Sequence, residues 1–246
     1  MTVRLPAPSL RHVVSHYWLF RGNESDAYDI LPDGAVDTVI ERGETDARCL
    51  VFGTATRRTR FPLKRGCDYL GVRFRPGRAF NLLTMTPAQL ADCWVSASDA
   101  LSFSLEEVAE SALRDDVFDR IDVVLEREFR RCAQTRSRVD DAVDAIEASH
   151  GAMHMREAAE VFGRGNRQLQ RAFLEAVGLS PKSFARIARF RYASALVASR
   201  RYRLADVAAI AGYADQSHMN NDFRNLSGAS PRAVLREDVA FLQDGY

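Results

Sequence analysis

Arg167, Gln168, Gln170 and Arg171 fall on the outward side of one short stretch, in which Leu169, Ala172 and Phe173 recur at i, i+3 and i+4 as the inward face of a helix. Arginine can pair with both guanine acceptors of the major groove and glutamine with adenine, so the chemistry on offer is hydrogen bonding to base edges. The stretch is written twice. Gln168 to Pro181 (QLQRAFLEAVGLSP) lies over His218 to Pro231 (HMNNDFRNLSGASP) without a gap, fifty residues on. Phe173/Phe223, Gly178/Gly228, Ser180/Ser230 and Pro181/Pro231 are identical, and Leu169/Met219 is an apolar pair.

Each copy follows a shorter apolar helix. Glu157 to Gly163 (EAAEVFG) corresponds to Asp206 to Gly212 (DVAAIAG). Ala159 and Ala208 let the next helix approach closely, and Gly163 and Gly212 supply the left-handed residue that ends a helix. Short helix, tight turn and second helix make the helix-turn-helix unit, whose second helix enters the major groove. One such unit is weak evidence, since many helical proteins contain the pattern; a duplicate is harder to dismiss. Between the copies, Pro181 to Ser199 has Ser180 as N-cap, Pro181 in the first turn and no internal glycine or proline. At about 1.5 Å per residue it predicts a rod of roughly 28 Å, against about 34 Å for one turn of DNA.

The whole chain carries a formal net charge of +1. From Arg156 to Arg236, however, fourteen basic residues face six acidic ones, as phosphate contact favours. Arg186, Arg189, Arg200, Arg201, Arg203 and Arg224 are candidate backbone contacts, Arg189 being the one best placed to brace helices instead.

At these residues the sequence resembles the AraC/XylS family of bacterial transcription regulators. The resemblance rests on LQRAF (Leu169 to Phe173), GLSP (Gly178 to Pro181), Arg189 with Phe190, Ala193, Leu196 and Val197, IAGYADQSHM (Ile210 to Met219) and GASP (Gly228 to Pro231). It implies base contacts for Asn166, Arg167, Gln168, Gln170 and Arg171, and for Gln216, Ser217, His218, Asn220 and Asn221. The chain departs from the family at Asn221, often basic, and at Met219, often aromatic; Asp222 beside a phosphate would be repelled. The second unit is therefore expected to add less affinity than the first.

The first part of the chain is written in another style. Tyr17 to Phe20, Tyr28 to Ile30, Val36 to Ile40, Arg48 to Phe52, Thr59 to Leu63 and Tyr69 to Arg75 are aromatic or branched runs separated by turn signals, which suggests a small barrel or sandwich. Helices are expected from Arg78 onward, with starts at Thr86-Pro87 and Ser104. A further helix carries Val117, Ile121, Val124 and Phe129 on one face and ends near Cys132, and Ala133 to Arg138 reads as a linker. LPDGAVDTVI (Leu31 to Ile40) and GVRFRPG (Gly71 to Gly77) resemble the N-terminal region of a poorly described regulator subgroup. The family commonly has a cupin-like barrel there, followed by helices that dimerise.

Arg73 and Arg75 alternate with Val72 and Phe74. They form either a charged solvent face or a lumen site for an acidic effector. His12 with His16, and His150 with His154 across Gly151, are too few for a metal centre. Cys49, Cys67, Cys93 and Cys132 form no zinc or dithiol motif, and they read as thiols of a reduced cytosolic chain. Phosphate-loop and nucleophile-elbow patterns are missing.

The expectation is an α+β chain that is not an enzyme and needs no cofactor or metal. Residues 1–102 form a cupin-like sensory barrel, 103–138 helices and linker, and 139–246 two helix-turn-helix units joined by a long helix. It is expected to regulate transcription, as an activator, in the cytoplasm, without membrane contact. Expected partners are double-stranded promoter DNA, RNA polymerase, an unknown small-molecule or protein effector and a second copy in a homodimer. The rival reading is a small-molecule-transforming barrel enzyme fused to a DNA-binding half.

Overall fold

A computed structural model describes residues 1–105, 108–109, 116–132 and 136–234. The aromatic and branched runs become strands β1 (Thr2–Arg4), β2 (Val14–Phe20), β3 (Ala27–Ile30), β4 (Asp37–Arg42), β5 (Ala47–Phe52), β6 (Thr59–Pro62), β7 (Asp68–Phe74) and β8 (Trp94–Ser96). Six of them make an antiparallel sheet in the order β1-β2-β7-β4-β5-β8, and β3 pairs with β6 as a separate ribbon.

The sheet is covered on both sides, which is why its strands are apolar at successive positions. Val14, Tyr17, Leu19, Ile40, Val51, Leu70, Val72 and Phe74 enter one core. Trp18, Phe20, Val39, Leu50, Phe52 and Tyr69 enter a second, in which Ile30, Phe61 and Leu63 also pack. Gly71 is a steric requirement: a Cβ there would sit 1.9 Å from the indole of Trp18.

The first core is closed by helix α2 (Val117–Arg131), which follows the single turn α1 (Ala97–Ala100). Val117, Phe118, Ile121, Val124, Leu125 and Phe129 form its buried stripe. Asp122, buried on the same helix, accepts hydrogen bonds from the Tyr17 hydroxyl at 2.7 Å and the Ala7 amide at 3.0 Å. Burial and this carboxylate together push the Tyr17 phenol up.

One expected helix is corrected. No helix starts at Thr86-Pro87: Gln89 caps the Thr86 amide at 2.9 Å within a turn, and the chain goes on into β8. Most of the helix expected from Ser104 lies outside the described residues, with Val108 and Ala109 helical. Of the expected linker, residues 133–135 lie outside the described set, and Arg138 is already helical.

The remainder is helical: α3 (Arg138–Ala148), α4 (Met155–Phe162), α5 (Asn166–Ala176), α6 (Pro181–Ala198), α7 (Leu204–Ile210), α8 (Gln216–Ser227) and α9 (Pro231–Val234). One core joins them, with Phe173, Phe184, Phe190 and Phe223 almost fully buried. No helix among the described residues is long and apolar enough to cross a membrane.

Candidate nucleic-acid interface

The two helix pairs are built from matching parts. Helix α4 ends at Gly163 with φ +71°, and α5 begins after Gly165. Helix α7 is followed by Gly212 with φ +75°. Asp215 then caps α8 by accepting the His218 amide at 2.7 Å. Leu169 and Phe173 in α5, like Met219 and Phe223 in α8, are at most 1% exposed. That anchoring leaves the first turns of α5 and α8 turned outward, where recognition helices meet base edges.

On α5, Asn166, Arg167, Gln168, Gln170 and Arg171 are all exposed. On α8, Gln216, Ser217, His218 and Asn221 are exposed, whereas Asn220 is half-buried. The His218 ring also stands edge-on to Tyr213, with centroids 5.2 Å apart. Arg164, in the first turn, is exposed beside this face and was not among the residues picked from the sequence. Only its place between Gly163 and Gly165 could have flagged it.

Helix α6 runs Pro181–Ala198, one residue short of the expected rod. Its N-terminus is as read, since Ser180 accepts the Ser183 amide at 3.1 Å and Pro181 opens the helix. Its arginines divide by task. Arg189 braces, donating to the Gly151 carbonyl at 2.7 Å and lying over the Tyr213 ring at 5.5 Å.

Arg186 donates to Asp222 at 2.8 Å. Two expectations change with that contact. Asp222 does not confront a phosphate but is buried at 6% exposure, fastening α8 to α6, and Arg186 already has a carboxylate partner. Arg200, Arg201, Arg203 and Arg224 remain exposed.

The sheet domain rearranges the expected effector residues. Arg73 is 3% exposed and donates to Asp33 at 2.5 Å and Asp37 at 3.0 Å, so its charge is taken up inside the protein. It forms no solvent face, and it offers no open lumen site. Asp33 does more than shape its turn: besides holding Arg73, it accepts the Ala35 amide at 3.1 Å. Arg75 lies just beyond β7, exposed, and donates to the Arg11 carbonyl at 2.8 Å. It lines a cleft of about 240 Å³ with Arg11, His12, Arg78, Arg136, Asp140 and Asp144.

His12 and His16 do not pair as ligands. His16 is buried in β2 beside Ser15, and His12 is exposed at that cleft. His150 stacks on Tyr192 at 3.8 Å. Among the described residues no three His, Cys, Asp or Glu side chains converge to hold a metal ion. Burial raises the thiol pKa of both Cys67 and Cys93, away from reactive thiolates.

Residues 158–237 match a family described as a helix-turn-helix domain, and residues 2–96 match a domain of unknown function. No curated protein matches the chain. Among solved structures, a transcriptional regulator with an AraC-type DNA-binding domain from Chromobacterium violaceum is 21% identical, with 42% of this chain and 94% of that one covered and a TM-score of 0.39. The C-terminal domain of AraT, a response regulator from Geobacillus stearothermophilus, is 21% identical over 45% of this chain and 94% of its own, with a TM-score of 0.39. ToxT from Vibrio cholerae is 11% identical over 89% of this chain and 97% of its own, with a TM-score of 0.49. Residues 158–237 thus match a helix-turn-helix domain over the segment that holds both helix pairs, α4–α5 and α7–α8.

Proposed function

We propose that this regulator grips promoter DNA with two reading helices, α5 and α8, set in successive major-groove segments by α6. The observation that carries this reading is the matched burial of Leu169/Phe173 and Met219/Phe223, which turns both first turns outward. An eighteen-residue α6 spans about 27 Å, close to the roughly 34 Å of one DNA turn.

The direct base readers are Arg167, Gln168, Gln170 and Arg171 on α5, and Gln216, Ser217 and Asn221 on α8. Asn166 opens α5, His218 lies in the first turn of α8, and half-buried Asn220 serves mainly as support. Arg200, Arg201, Arg203 and Arg224 supply phosphate contacts. Such a protein works where the chromosome is, in the cytoplasm, and meets RNA polymerase at the promoter.

The first domain controls the second. An acidic small molecule would enter the cleft of Arg11, Arg75 and Arg136 between the sheet domain and α3, and it would regulate by binding two domain arrangements unequally. A protein effector or a second copy acting on the sheet domain is the other form of control.

Selection of bound fragments from random duplex DNA by the purified full-length chain tests the two-helix reading. Two preferred segments about one helical turn apart are expected. A single segment, or none, contradicts it.

A further inference from the structure

Both reading helices end against the sheet domain, through one loop. A helix C-terminus leaves its last carbonyls without partners inside the helix. Here the segment joining β5 to β6 supplies donors to each. The Thr54 hydroxyl, itself fully buried, donates to the Val177 carbonyl at the end of α5 at 3.0 Å. The Arg58 amide donates to the Leu226 carbonyl in the last turn of α8 at 2.7 Å. The loop is stiff between these points. Asp92 accepts the Thr56 amide at 2.7 Å and the Thr56 hydroxyl at 2.5 Å, and Arg58 is tied to Asp29 on β3 at 2.6 Å.

The rest of the contact leaves no slack. Gly178, just past α5 with φ +80°, is so close to the Pro87 backbone that an added Cβ would lie 2.6 Å from it. The Phe184 ring of α6 lies on Gly34, 2.6 Å from where a Cβ would be. Arg191 of α6 donates to the Asp33 carbonyl at 3.3 Å. Asp33 is in turn fixed by buried Arg73. The LPDGAVD and GVRFRPG segments, whose role the sequence leaves open, therefore converge on the face that receives the helical domain.

We propose that this face, through Thr54 and the Arg58 amide, fixes α5 and α8 relative to each other and so sets the half-site spacing that the regulator accepts. Thr54, Arg58 and Arg191 are positioning residues. They touch no DNA and act through the far ends of the helices that do. The inference rests on the two-helix reading above. It adds that the ruler is not α6 alone, because the sheet domain spans both reading heads from behind.

The test uses the full-length protein and the duplex selected from random DNA, rebuilt with its two segments moved one base pair nearer or farther. One base pair turns a half-site by about a tenth of a helical turn. Wild type should lose about tenfold or more in affinity on either change, as a misplaced contact costs in protein–DNA interfaces.

The T54V/R191M variant, which has no Thr54 hydroxyl and no Arg191 guanidinium, should lose less than about threefold across the same series. It should still bind a duplex carrying the α5 half-site alone as wild type does. Thr54→Ser keeps the hydroxyl, so T54S/R191M should hold a sharper spacing preference than T54V/R191M. If the double variant does not fold, as judged by its circular dichroism melt, T54V alone is expected to give an intermediate preference. Unchanged spacing preference in a folded T54V or T54V/R191M protein overturns the proposal. A wild type that selects no paired half-sites overturns the underlying two-helix reading instead.

Discussion

At the scale of single residues, exposure and charge separate the side chains proposed to read bases from the struts. Arg171 is exposed on α5, while the corresponding Asn221 on α8 is neutral. Arg171→Ala should therefore weaken specific binding by about tenfold to a hundredfold, in line with the roughly 1–3 kcal/mol of one good base contact. Asn221→Ala should cost less, and equal losses in a gel-shift titration would count against the asymmetry. Arg73 belongs to the struts. Arg73→Ala would strand Asp33 and Asp37 in the interior and should destabilise the protein by about 3–5 kcal/mol in urea unfolding; a variant that unfolds like wild type would show that the ion pairs are dispensable.

A pH dependence follows from Glu41, which is also buried. Burial opposes its charge, but hydrogen bonds from Arg48, Lys64 and Tyr69 win and hold its pKa below the ordinary carboxylate value. A group lowered in the folded state adds stability above the unfolded value of about 4.3 and loses it as pH falls through the folded value. The thermal midpoint of wild type should thus exceed that of Glu41→Gln at neutral pH, and the gap should narrow as pH drops below about 4.5. A gap that stays constant down to pH 3 would remove Glu41 from the account.

At the scale of elements, the helical half was largely legible because its signals are local. Ser180-Pro181 marks the start of α6, Gly163 and Gly212 mark helix ends, and the i, i+3, i+4 pattern of Leu169, Ala172 and Phe173 fixes the inward face. Strands β2 to β7 were legible from their branched and aromatic runs. The strand order and the separate β3–β6 ribbon were not, since both are decided by long-range pairing. Nor was β8, because TPAQLADCWV carries no strand pattern until it meets β5 at Phe52 and Trp94. The inward turn of Asp222 also escaped, as its partner Arg186 lies thirty-six residues away. Asp222→Ala should loosen α8 from α6, lower stability by about 1–3 kcal/mol and reduce binding chiefly at the second half-site. A loss confined to the first half-site in a footprint would refute that assignment.

At the scale of the whole molecule, a sheet domain and a helical domain meet at Thr54, Arg58, Gly34 and Gly178. The central claim is that two helices, presented together, read neighbouring segments of one duplex. Hydroxyl-radical footprinting of the full-length protein on its selected DNA tests it most directly. The account predicts two protected patches on one face of the duplex, centred about 10 base pairs apart, with the second patch lost in a variant whose Gln216, Ser217 and Asn221 are all alanine. A single patch that this variant leaves intact would contradict it.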